Sequence, residues 1–175
     1  MTGILGGAFD PPHVGHVALA DVAERELGLD RIDVVVVADP GHKGVHAPAE
    51  TRLELAQLAF PGREVTLDHH ARTVDMLREG SWQDPVFLIG ADEFLDFTTW
   101  KEPDAVLRLA RLGVAARPGF PLAEQPPDRV LFFAFDPVPV SSSEIRALVA
   151  CGEPIGGLVP PAVAEAIARL DLYRG

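Results

Sequence analysis

The sequence predicts an α/β fold, with a doubly wound, mostly parallel β-sheet and helices on both faces of the sheet. Short apolar or β-branched runs alternate along the chain with longer segments of helical periodicity, which is typical of repeated β-α-β units. Residues 32–37 are apolar at nearly every position, as expected for a strand that is buried on both faces of a parallel sheet. The 175 residues are enough for a sizeable core. We therefore expect one domain over residues 1–175.

Composition narrows the classes of protein that fit the chain. The formal net charge of −11 argues against nucleic acid as a partner, because a phosphate backbone requires a basic face. No apolar run is long enough to predict a membrane span, and the N-terminal residues do not resemble a signal peptide. The lone Cys151 cannot form an internal disulfide and fits a reducing compartment. We expect a cytoplasmic protein with no membrane partner.

A strand, a glycine turn and a helix open the chain. Residues 4–5 form a short apolar run that predicts a buried strand. The Gly6-Gly7 pair follows, and a backbone without Cβ atoms can approach a ligand closely. Asp10 and the two prolines after it predict a helix start, because Asp caps helices and Pro suits a first turn. This layout is typical of an anion site, since free N–H groups and the helix dipole both favour phosphate.

The first helix is predicted over residues 14–27, with a glycine cap directly after it. Val14, Ala18 and Val22 recur at every fourth position, so we expect them to form the core face. His13 and His16 are three residues apart, and on a first turn this spacing puts both imidazoles on one side of the helix. The pair would therefore lie close to an anion bound at the helix start.

The remaining strands and helices are predicted from the same two patterns, short apolar runs and helical periodicity. The predicted strands are residues 32–37, 64–67, 86–89, 112–116 and 130–135. The predicted helices are residues 50–60, 73–79, a stretch after Asp92 that runs through Trp100, 103–110, 142–149 and 161–170. We expect Thr73 to cap its helix and Gly80 to close it. Residues 39–48 and 120–128 are predicted loops, rich in Gly or Pro.

Polar and glycine-rich segments follow five of the predicted strands. In a doubly wound sheet, ligands bind beyond the carboxyl ends of the strands, near the point where the strand order reverses. The segments in question are residues 7–16, 39–48, 90–92, 117–119 and 140–143. We expect them to form one composite site.

The last of these segments opens a helix with three consecutive serines. Ser142 or Ser143 is expected to cap this helix, with Glu144 favourable in its first turn. Hydroxyls and free N–H groups at a helix start also form a cradle for phosphate. Arg146, about one turn into the helix, offers a bidentate fork that matches phosphate.

Three other kinds of site fit less well. The two histidines could bind zinc, but with one cysteine in the chain no third ligand occurs at a recognisable spacing. The sequence G-x-x-x-x-G-K-[ST] of the P-loop is absent. Asp39 follows the second strand, where dinucleotide-binding oxidoreductases hold a ribose, but the first glycine turn lacks G-x-G-x-x-G.

Two motifs carry a resemblance to a known family. Residues 6–16 read Gly-Gly-x-Phe-Asp-Pro-x-His-x-Gly-His and resemble the opening motif of the nucleotidyltransferases that carry an HxGH element. The Phe-Asp-Pro-Pro-His form looks most like the bacterial nicotinate-nucleotide adenylyltransferases. Residues 140–146 resemble the Ile-Ser-Ser-x-x-Ile-Arg element that closes the same family.

Further segments resemble the nicotinate-nucleotide branch, so the resemblance covers essentially the whole chain. His42-Lys43 resembles the family's Pro-Pro-His-Lys loop, with Gly41 in place of the second proline. The other matches are Thr73-Val74-Asp75 (with Arg72 where Tyr is common and Met76 where Thr is common), Gly90-Ala91-Asp92 with Trp100, Arg117-Pro118-Gly119, and the closing Val159-Pro160 and Tyr173.

The resemblance implies a single-domain Rossmann-like fold and adenylyl transfer in NAD biosynthesis. ATP and nicotinate mononucleotide would give deamido-NAD and pyrophosphate, and a Mg²⁺ ion would accompany the triphosphate, held largely by ATP and water. The implied catalytic residues are His13, His16, Lys43 and Arg146. The implied ATP-binding residues are Gly7, Ala8, Phe9, His13, His16, Arg117, Ser142, Ser143 and Arg146. The implied nicotinate-nucleotide-binding residues are Lys43, Thr73, Gly90, Asp92 and Trp100, and none of these side chains is expected to bind a metal.

Several alternatives stay open at this point. The acceptor could be nicotinamide mononucleotide, or both pyridine nucleotides, because no residue type encodes the difference between a carboxylate and a carboxamide. Pantetheine-phosphate adenylyltransferases and cytidylyltransferases share parts of the motifs. A non-catalytic nucleotide sensor on the same fold is expected to lack His16, Lys43 or Arg146, and all three are present. The oligomeric state is also open, homo-oligomers included.

Overall fold

In the computed structural model, residues 1–41, 44–117 and 128–174 are described. The strands are β1 (Thr2–Gly7), β2 (Arg31–Val37), β3 (Glu64–Asp68), β4 (Pro85–Gly90), β5 (Arg111–Ala116) and β6 (Val130–Ala134). The helices are α1 (Val14–Leu27), α2 (Ala49–Ala59), α3 (Thr73–Glu79), α4 (Ala91–Leu95), α5 (Pro103–Leu109), α6 (Ser142–Ala150) and α7 (Pro161–Arg169). Within the described ranges strands and helices alternate from β1 to β4, α4 and α5 lie between β4 and β5, and α6 and α7 follow β6.

The six strands form one sheet in the order β3-β2-β1-β4-β5-β6, and every neighbouring pair is parallel. This confirms the predicted α/β doubly wound fold, which is Rossmann-like. The strand order reverses between β1 and its neighbour β4, so the crevice for a ligand is expected at the carboxyl end of β1. Among the described residues, none of the helices has both the length and the apolar character needed to cross a bilayer.

Alternate residues of the central strands face two different hydrophobic cores. Leu5, with its neighbours on the same face, packs against α1, α2, α6 and α7, and Ile4 faces the core beneath α3 and α5. This alternation is the period-two geometry of a strand that is covered on both faces. Both faces of the sheet therefore support the loops at its carboxyl end.

Helix α1 has the predicted bounds, but its N-cap differs from the prediction. Helix α1 begins at Val14, and His13 rather than Asp10 holds the N-cap position. Asp10 is buried, and its carboxylate accepts hydrogen bonds from residues far along the chain. A cap assignment made from local sequence could not anticipate these partners.

The predicted core face of α1 is also displaced. The buried residues of the helix are Ala20 and Ala23, whereas Val14, Ala18 and Val22 are half-buried. A four-residue step exceeds one turn by about 40°, so three residues at this spacing drift around the helix. The two small alanines instead define the line of closest packing against the sheet.

Helix α3 has the predicted bounds but different ends. Arg72 is its N-cap and Thr73 is its first helical residue, so Thr73 is not the cap. Gly80 has φ −70°, outside the left-handed region expected of a glycine cap. Its lack of a side chain matters for packing, because a Cβ at this position would overlap the ring of Trp82.

Two further helix boundaries differ. The predicted helical stretch through Trp100 consists of α4 and a separate 3₁₀ turn, Phe97–Thr99, which ends at Trp100. Helix α6 is capped by Ser141, whose Oγ accepts a hydrogen bond from Glu144 N at 3.2 Å. The cap therefore lies one residue before the two serines predicted for this role.

Candidate active site at the carboxyl end of β1

His13 and His16 lie against each other at the start of α1. Their ring centroids are 3.7 Å apart with an interplanar angle of 25°, so the two imidazoles stack. The backbone N–H of His13 donates to His16 Nδ1 at 3.2 Å. This bond satisfies one of the free N–H groups of the helix start. The structure thus brings together the two histidines that the three-residue spacing predicted to share one side of the helix.

His13 is buried and electrically neutral at pH 7. Burial lowers the pKa of His13 to about 4, because a buried imidazolium loses its hydration. Its Nδ1 makes no hydrogen bond to the described part of the chain. A neutral imidazole carries one N–H donor, so His13 can donate to a phosphate oxygen without carrying a charge.

Phe9 holds the turn between β1 and α1 against the core. Its side chain is buried and packs edge-on against Phe60 and against the ring of His16, whose centroid is 5.0 Å away. The backbone of Phe9 has φ +50°, a value uncommon outside glycine. The Phe9 ring also lies against Gly7, where an added Cβ would approach it to 3.0 Å. Gly7, Ala8 and Phe9 therefore form one tight turn beside the two histidines.

The start of α6 contacts the two residues that directly follow this turn, Asp10 and Pro11. Ser142 Oγ donates to the carbonyl of Pro11 at 2.8 Å, and Arg146 Nη1 donates to the carbonyl of Asp10 at 2.7 Å. Arg146 Nη2 lies 3.4 Å from Ser143 Oγ. The structure therefore joins the two predicted motifs, although 131 to 136 residues separate the bonded partners. The hydroxyl proton of Ser142 is therefore already donated to a backbone carbonyl of the protein.

Asp10 is a component of the site that the sequence pattern did not reveal. Its buried carboxylate accepts from His46 N at 2.6 Å, from Ala47 N at 3.2 Å and from Tyr173 Oη at 2.8 Å. The acid thus ties the β1–α1 turn to the segment before α2 and to the C-terminal residues. Its place in the middle of the first motif was the available signal, but its partners are far away in sequence.

Arg52, in α2, is a second component that sequence reasoning missed. Its side chain has no exposed surface and donates to four carbonyls: Ala8 and Val37 at 2.8 Å, Ala38 at 2.6 Å and Ala47 at 3.1 Å. Burial lowers the pKa of Arg52, and the carboxylate of Asp10 opposes that effect. A buried arginine without a directly bonded carboxylate is unusual. It joins the ends of β1 and β2.

Three of the residues predicted for the nicotinate nucleotide, Gly90, Asp92 and Trp100, end or follow β4. Gly90 ends that strand and donates its N–H to Glu93 Oε2 at 2.8 Å. The exposed carboxylate of Asp92 lies 3.8 Å from Arg117 Nη2. Trp100 is half-buried, with its ring 6.2 Å from the Phe87 ring and nearly perpendicular to it. Arg117 was predicted on the ATP side, so the ion pair joins residues assigned to the two substrates.

Thr73 lies at the start of α3, on the same face of the sheet as Trp100. Lys101 Nζ, directly after Trp100, is 2.9 Å from Asp75 Oδ2, and this ion pair fastens the tryptophan segment to α3. The catalytic and binding predictions for Lys43, with those for its neighbour His42 and for 118–119, lie outside the described residues. Among the described residues, no cluster of three acidic, histidine or cysteine side chains could hold a metal ion.

The chain is similar to adenylyltransferases over its full length. The cytidylyltransferase-like family model matches residues 4–148. A probable nicotinate-nucleotide adenylyltransferase of Thermus thermophilus is 42% identical, with 98% of each chain covered. A protein of the same name from Chromobacterium violaceum is 35% identical, again with 98% of each chain covered.

Solved structures show the same fold. Nicotinic acid mononucleotide adenylyltransferase of Plasmodium falciparum, complexed with NaAD, superimposes with a TM-score of 0.76 and 18% identity, over 98% of this chain and 96% of the other. A structure described as a putative nicotinate-nucleotide adenylyltransferase from Vibrio parahaemolyticus gives 0.69 at 19% identity, over 99% and 94%. At these identities the structural likeness concerns the fold alone. Membership of a family is shown by the sequence relatives.

Proposed function

The chain belongs to the family of nicotinate-nucleotide adenylyltransferases, and from that membership we propose that it transfers the adenylyl group of ATP to nicotinate mononucleotide. The products are deamido-NAD and pyrophosphate. The single observation that best supports this reaction is the contact between the two motifs, in which Arg146 of α6 binds the turn that carries His13 and His16. That contact concentrates phosphate-binding groups at one end of the sheet.

The reaction depends on how the two reacting phosphates are positioned, and it does not require a general base. An oxygen of the 5′-phosphate of nicotinate mononucleotide forms a bond to the α-phosphorus of ATP, and the bond from that phosphorus to the β-phosphate oxygen breaks. Pyrophosphate leaves with the electron pair of the broken bond. The attacking phosphate is already largely ionised at pH 7, since its second pKa is near 6. Groups that align the phosphates and stabilise charge are therefore sufficient.

We assign the ATP phosphates to the turn and the two helix starts. The backbone N–H groups around Ala8 and Phe9 would contact the joined phosphates, as the start of a helix favours anions. His13 and His16 would donate hydrogen bonds to the α-phosphate oxygens, and His13 would do so as a neutral imidazole. Arg146 would neutralise the leaving pyrophosphate, with Ser143 beside it. The roles of Lys43, in catalysis and in binding of the nicotinate nucleotide, are proposed on the family motif alone.

We assign the nicotinate nucleotide to the β4 side. The face of the Trp100 ring would stack on the pyridine. Phe87 and Phe97 already pack against this ring, with interplanar angles of 79° and 59°. Gly90, Asp92 and Thr73 would supply polar contacts around it. Arg117, paired with Asp92, would lie between the two nucleotides and contact ATP.

Magnesium would enter as part of the substrate. The described side chains do not form a metal-binding cluster, and Mg²⁺ commonly keeps several waters when it accompanies phosphates. We therefore propose that ATP reacts as its Mg²⁺ complex, with the ion held by phosphate oxygens and water. We also propose that the enzyme acts in the cytoplasm, which its lone cysteine fits, and that it binds no nucleic acid, as the net charge of −11 suggests.

Pyrophosphate release tests the reaction and its acceptor together. The purified protein is assayed with ATP and Mg²⁺ and, in parallel, with nicotinate mononucleotide, nicotinamide mononucleotide or phosphopantetheine. We expect fast release with the nicotinate form alone. Equal release with both pyridine nucleotides would mean a dual-specific enzyme, and release with phosphopantetheine only would overturn the assigned acceptor. No release with any acceptor would contradict the proposed activity.

A further inference from the structure

Asp10 has two chemically different sides, and each holds a different part of the molecule. Its peptide carbonyl accepts from Arg146 Nη1 at 2.7 Å. Its carboxylate accepts hydrogen bonds from donors of two other segments. The position of the carbonyl that orients Arg146 therefore depends on how firmly the side chain of the same residue is held.

Three hydrogen-bond donors hold the carboxylate, and the ring nitrogen Nδ1 of His46 also lies 3.5 Å from Oδ2. The backbone N–H groups of His46 and Ala47 donate to Oδ2 and Oδ1 at 2.6 Å and 3.2 Å. The hydroxyl of Tyr173 donates to Oδ1 at 2.8 Å, across 163 residues of sequence. Hydrogen bonds to an ionised acceptor are roughly twice as strong as neutral ones. The Tyr173 hydroxyl is the only one of the three donors that a substitution can remove without disturbing the backbone.

The C-terminal segment is shaped to deliver this hydroxyl. After α7 the chain turns through two residues with positive φ, Asp171 at 53° and Tyr173 at 61°. Such values are uncommon for residues other than glycine and persist where the surrounding structure enforces them. Leu172 N donates to the carbonyl of Ile167 at 3.1 Å, and Leu172 and Tyr173 pack against the core.

The hydroxyl remains a donor throughout the physiological range. Burial and the hydrogen bond to Asp10 both raise the pKa of Tyr173, while the guanidinium groups of Arg146 and Arg52 act in the opposite direction. The phenol therefore stays protonated near pH 7. Tyr173 and the two arginines form one electrostatic unit around Asp10.

We propose that Tyr173 is a positioning residue of the active site: its hydroxyl fixes Asp10, and Asp10 in turn fixes Arg146 and the segment at His46 and Ala47. This inference rests on the proposed function, because Arg146 is the group assigned there to pyrophosphate. Tyr173 itself contacts neither phosphate nor pyridine in this arrangement. Its effect should accordingly fall on ATP and leave the binding of nicotinate mononucleotide nearly unchanged.

Tyr173→Phe tests the proposal, because it removes the hydroxyl and keeps the ring. We expect kcat/KM for ATP to fall by roughly five- to thirtyfold, as when one partner of a buried hydrogen bond is lost, and KM for nicotinate mononucleotide to change less than about twofold. Amide hydrogen exchange, measured without substrates, should become faster at His46 and Ala47. Asp10→Asn, which replaces one acceptor oxygen by an amide, should accelerate exchange at the same two positions.

The matched control is Arg169→Gln in the same C-terminal region. It breaks the ion pair between Arg169 and Glu54, which joins α7 to α2 at 2.6 Å, and leaves the Asp10 contacts intact. This variant should keep wild-type kinetics and exchange. Comparable losses in both variants would mean that Tyr173 acts only by docking the C-terminal segment, and would overturn the proposal.

A double-mutant comparison separates positioning from general stabilisation. In the background of Arg146→Lys, Tyr173→Phe should add less than about a twofold loss, because the group it positions is already altered. Additive losses, or unchanged exchange at His46 and Ala47, would overturn the proposal. Absence of pyrophosphate release in the wild-type protein would contradict the proposed function alone, since hydrogen exchange would still decide the role of Tyr173.

Discussion

At the scale of single residues, the two stacked imidazoles have different environments. His13 is nine-tenths buried and has a pKa lowered to about 4, so it is neutral at pH 7. His16 is the third residue of α1, and its ring packs against Phe9. A phosphate at the helix start would meet both rings together with the helix dipole. Each ring can be tested separately.

We predict that His16→Ala slows turnover by at least roughly tenfold with little change in folding stability, since preorganised donors act mainly on the transition state. Steady-state kinetics of pyrophosphate release and a thermal unfolding curve measure the two effects. His69→Ala, at an exposed histidine, serves as the control. Near-wild-type turnover in His16→Ala would remove this residue from the mechanism.

Burial of His13 predicts a pH dependence of folding stability. Between about pH 6.5 and pH 4 the unfolded chain binds a proton at this residue and the folded chain does not, so stability falls as the pH is lowered through that window. The loss should amount to about 3 kcal/mol for this group. Urea titration gives the free energy of unfolding at pH 7 and pH 4 for the wild type and for His13→Gln. The contribution of His13 is the pH-dependent change in the wild type minus the change in the variant. An identical pH dependence in both proteins would contradict the prediction.

Gly15 lies where the His13 ring leaves no room for a side chain. An added Cβ would lie 3.0 Å from His13 Nδ1 and 3.3 Å from Val140 Cγ1. We predict that Gly15→Ala lowers kcat/KM for ATP by about tenfold or more, because small displacements of positioning groups are costly. Helix propensity favours alanine by about 1 kcal/mol, so the melting temperature should not fall in parallel.

Gly156→Ala is the control for this substitution, since a Cβ there would meet no atom within 4 Å. Its kinetics should match the wild type. If Gly15→Ala were fully active, the tight contact between Gly15 and the His13 ring would have no functional consequence.

At the scale of elements, the side chain of Arg52 supplies hydrogen-bond donors to carbonyl groups at the ends of two strands. Val37 ends β2, while Ala8 and Ala38 directly follow the ends of β1 and β2. The guanidinium of Arg52 in α2 donates to the carbonyls of all three. Buried carbonyls without a donor are costly. One side chain thus joins the ends of two strands next to the turn that we propose binds phosphate.

Arg52→Met should accordingly destabilise the fold. It leaves these carbonyls without a donor, and we expect a loss of roughly 3 to 5 kcal/mol in the free energy of unfolding, measured by urea titration. Arg25→Met, at an exposed arginine paired with its neighbour Glu26, should change that energy by less than about 0.5 kcal/mol. A loss under about 1 kcal/mol in Arg52→Met would show that water can replace the guanidinium.

Local sequence predicted the elements well and their partners poorly. The bounds of α1 and α3 follow from periodicity, because that signal is contained in neighbouring residues. The cap assignments for Asp10, Thr73 and the serines were wrong, since a cap is decided by backbone angles and by competing partners. Asp10 in particular is engaged by Tyr173, a contact that no local pattern encodes.

At the scale of the whole molecule, the type of sheet could be predicted from the sequence by general rules of chain topology. Alternating strands and helices with right-handed crossovers lead to a doubly wound sheet, and the observed order β3-β2-β1-β4-β5-β6 is one of its two common forms. The grouping of 7–16, 90–92 and 140–143 at one end of the sheet was predictable for the same reason. The hydrogen bonds around Arg52 could not be predicted, because arginines on predicted helices are usually solvated.

The division of the core by the sheet has a consequence for how such an enzyme diversifies. The helices that support the histidine turn and Arg146 rest on one hydrophobic core, whereas the segments that carry Thr73 and Trp100 rest on the other. Under the proposed assignment, substitutions on the acceptor side can thus accumulate on one face of the sheet while the groups assigned to the triphosphate stay intact on the other. A change of acceptor would then be expected to involve α3 and the tryptophan segment, with the donor side inherited unchanged.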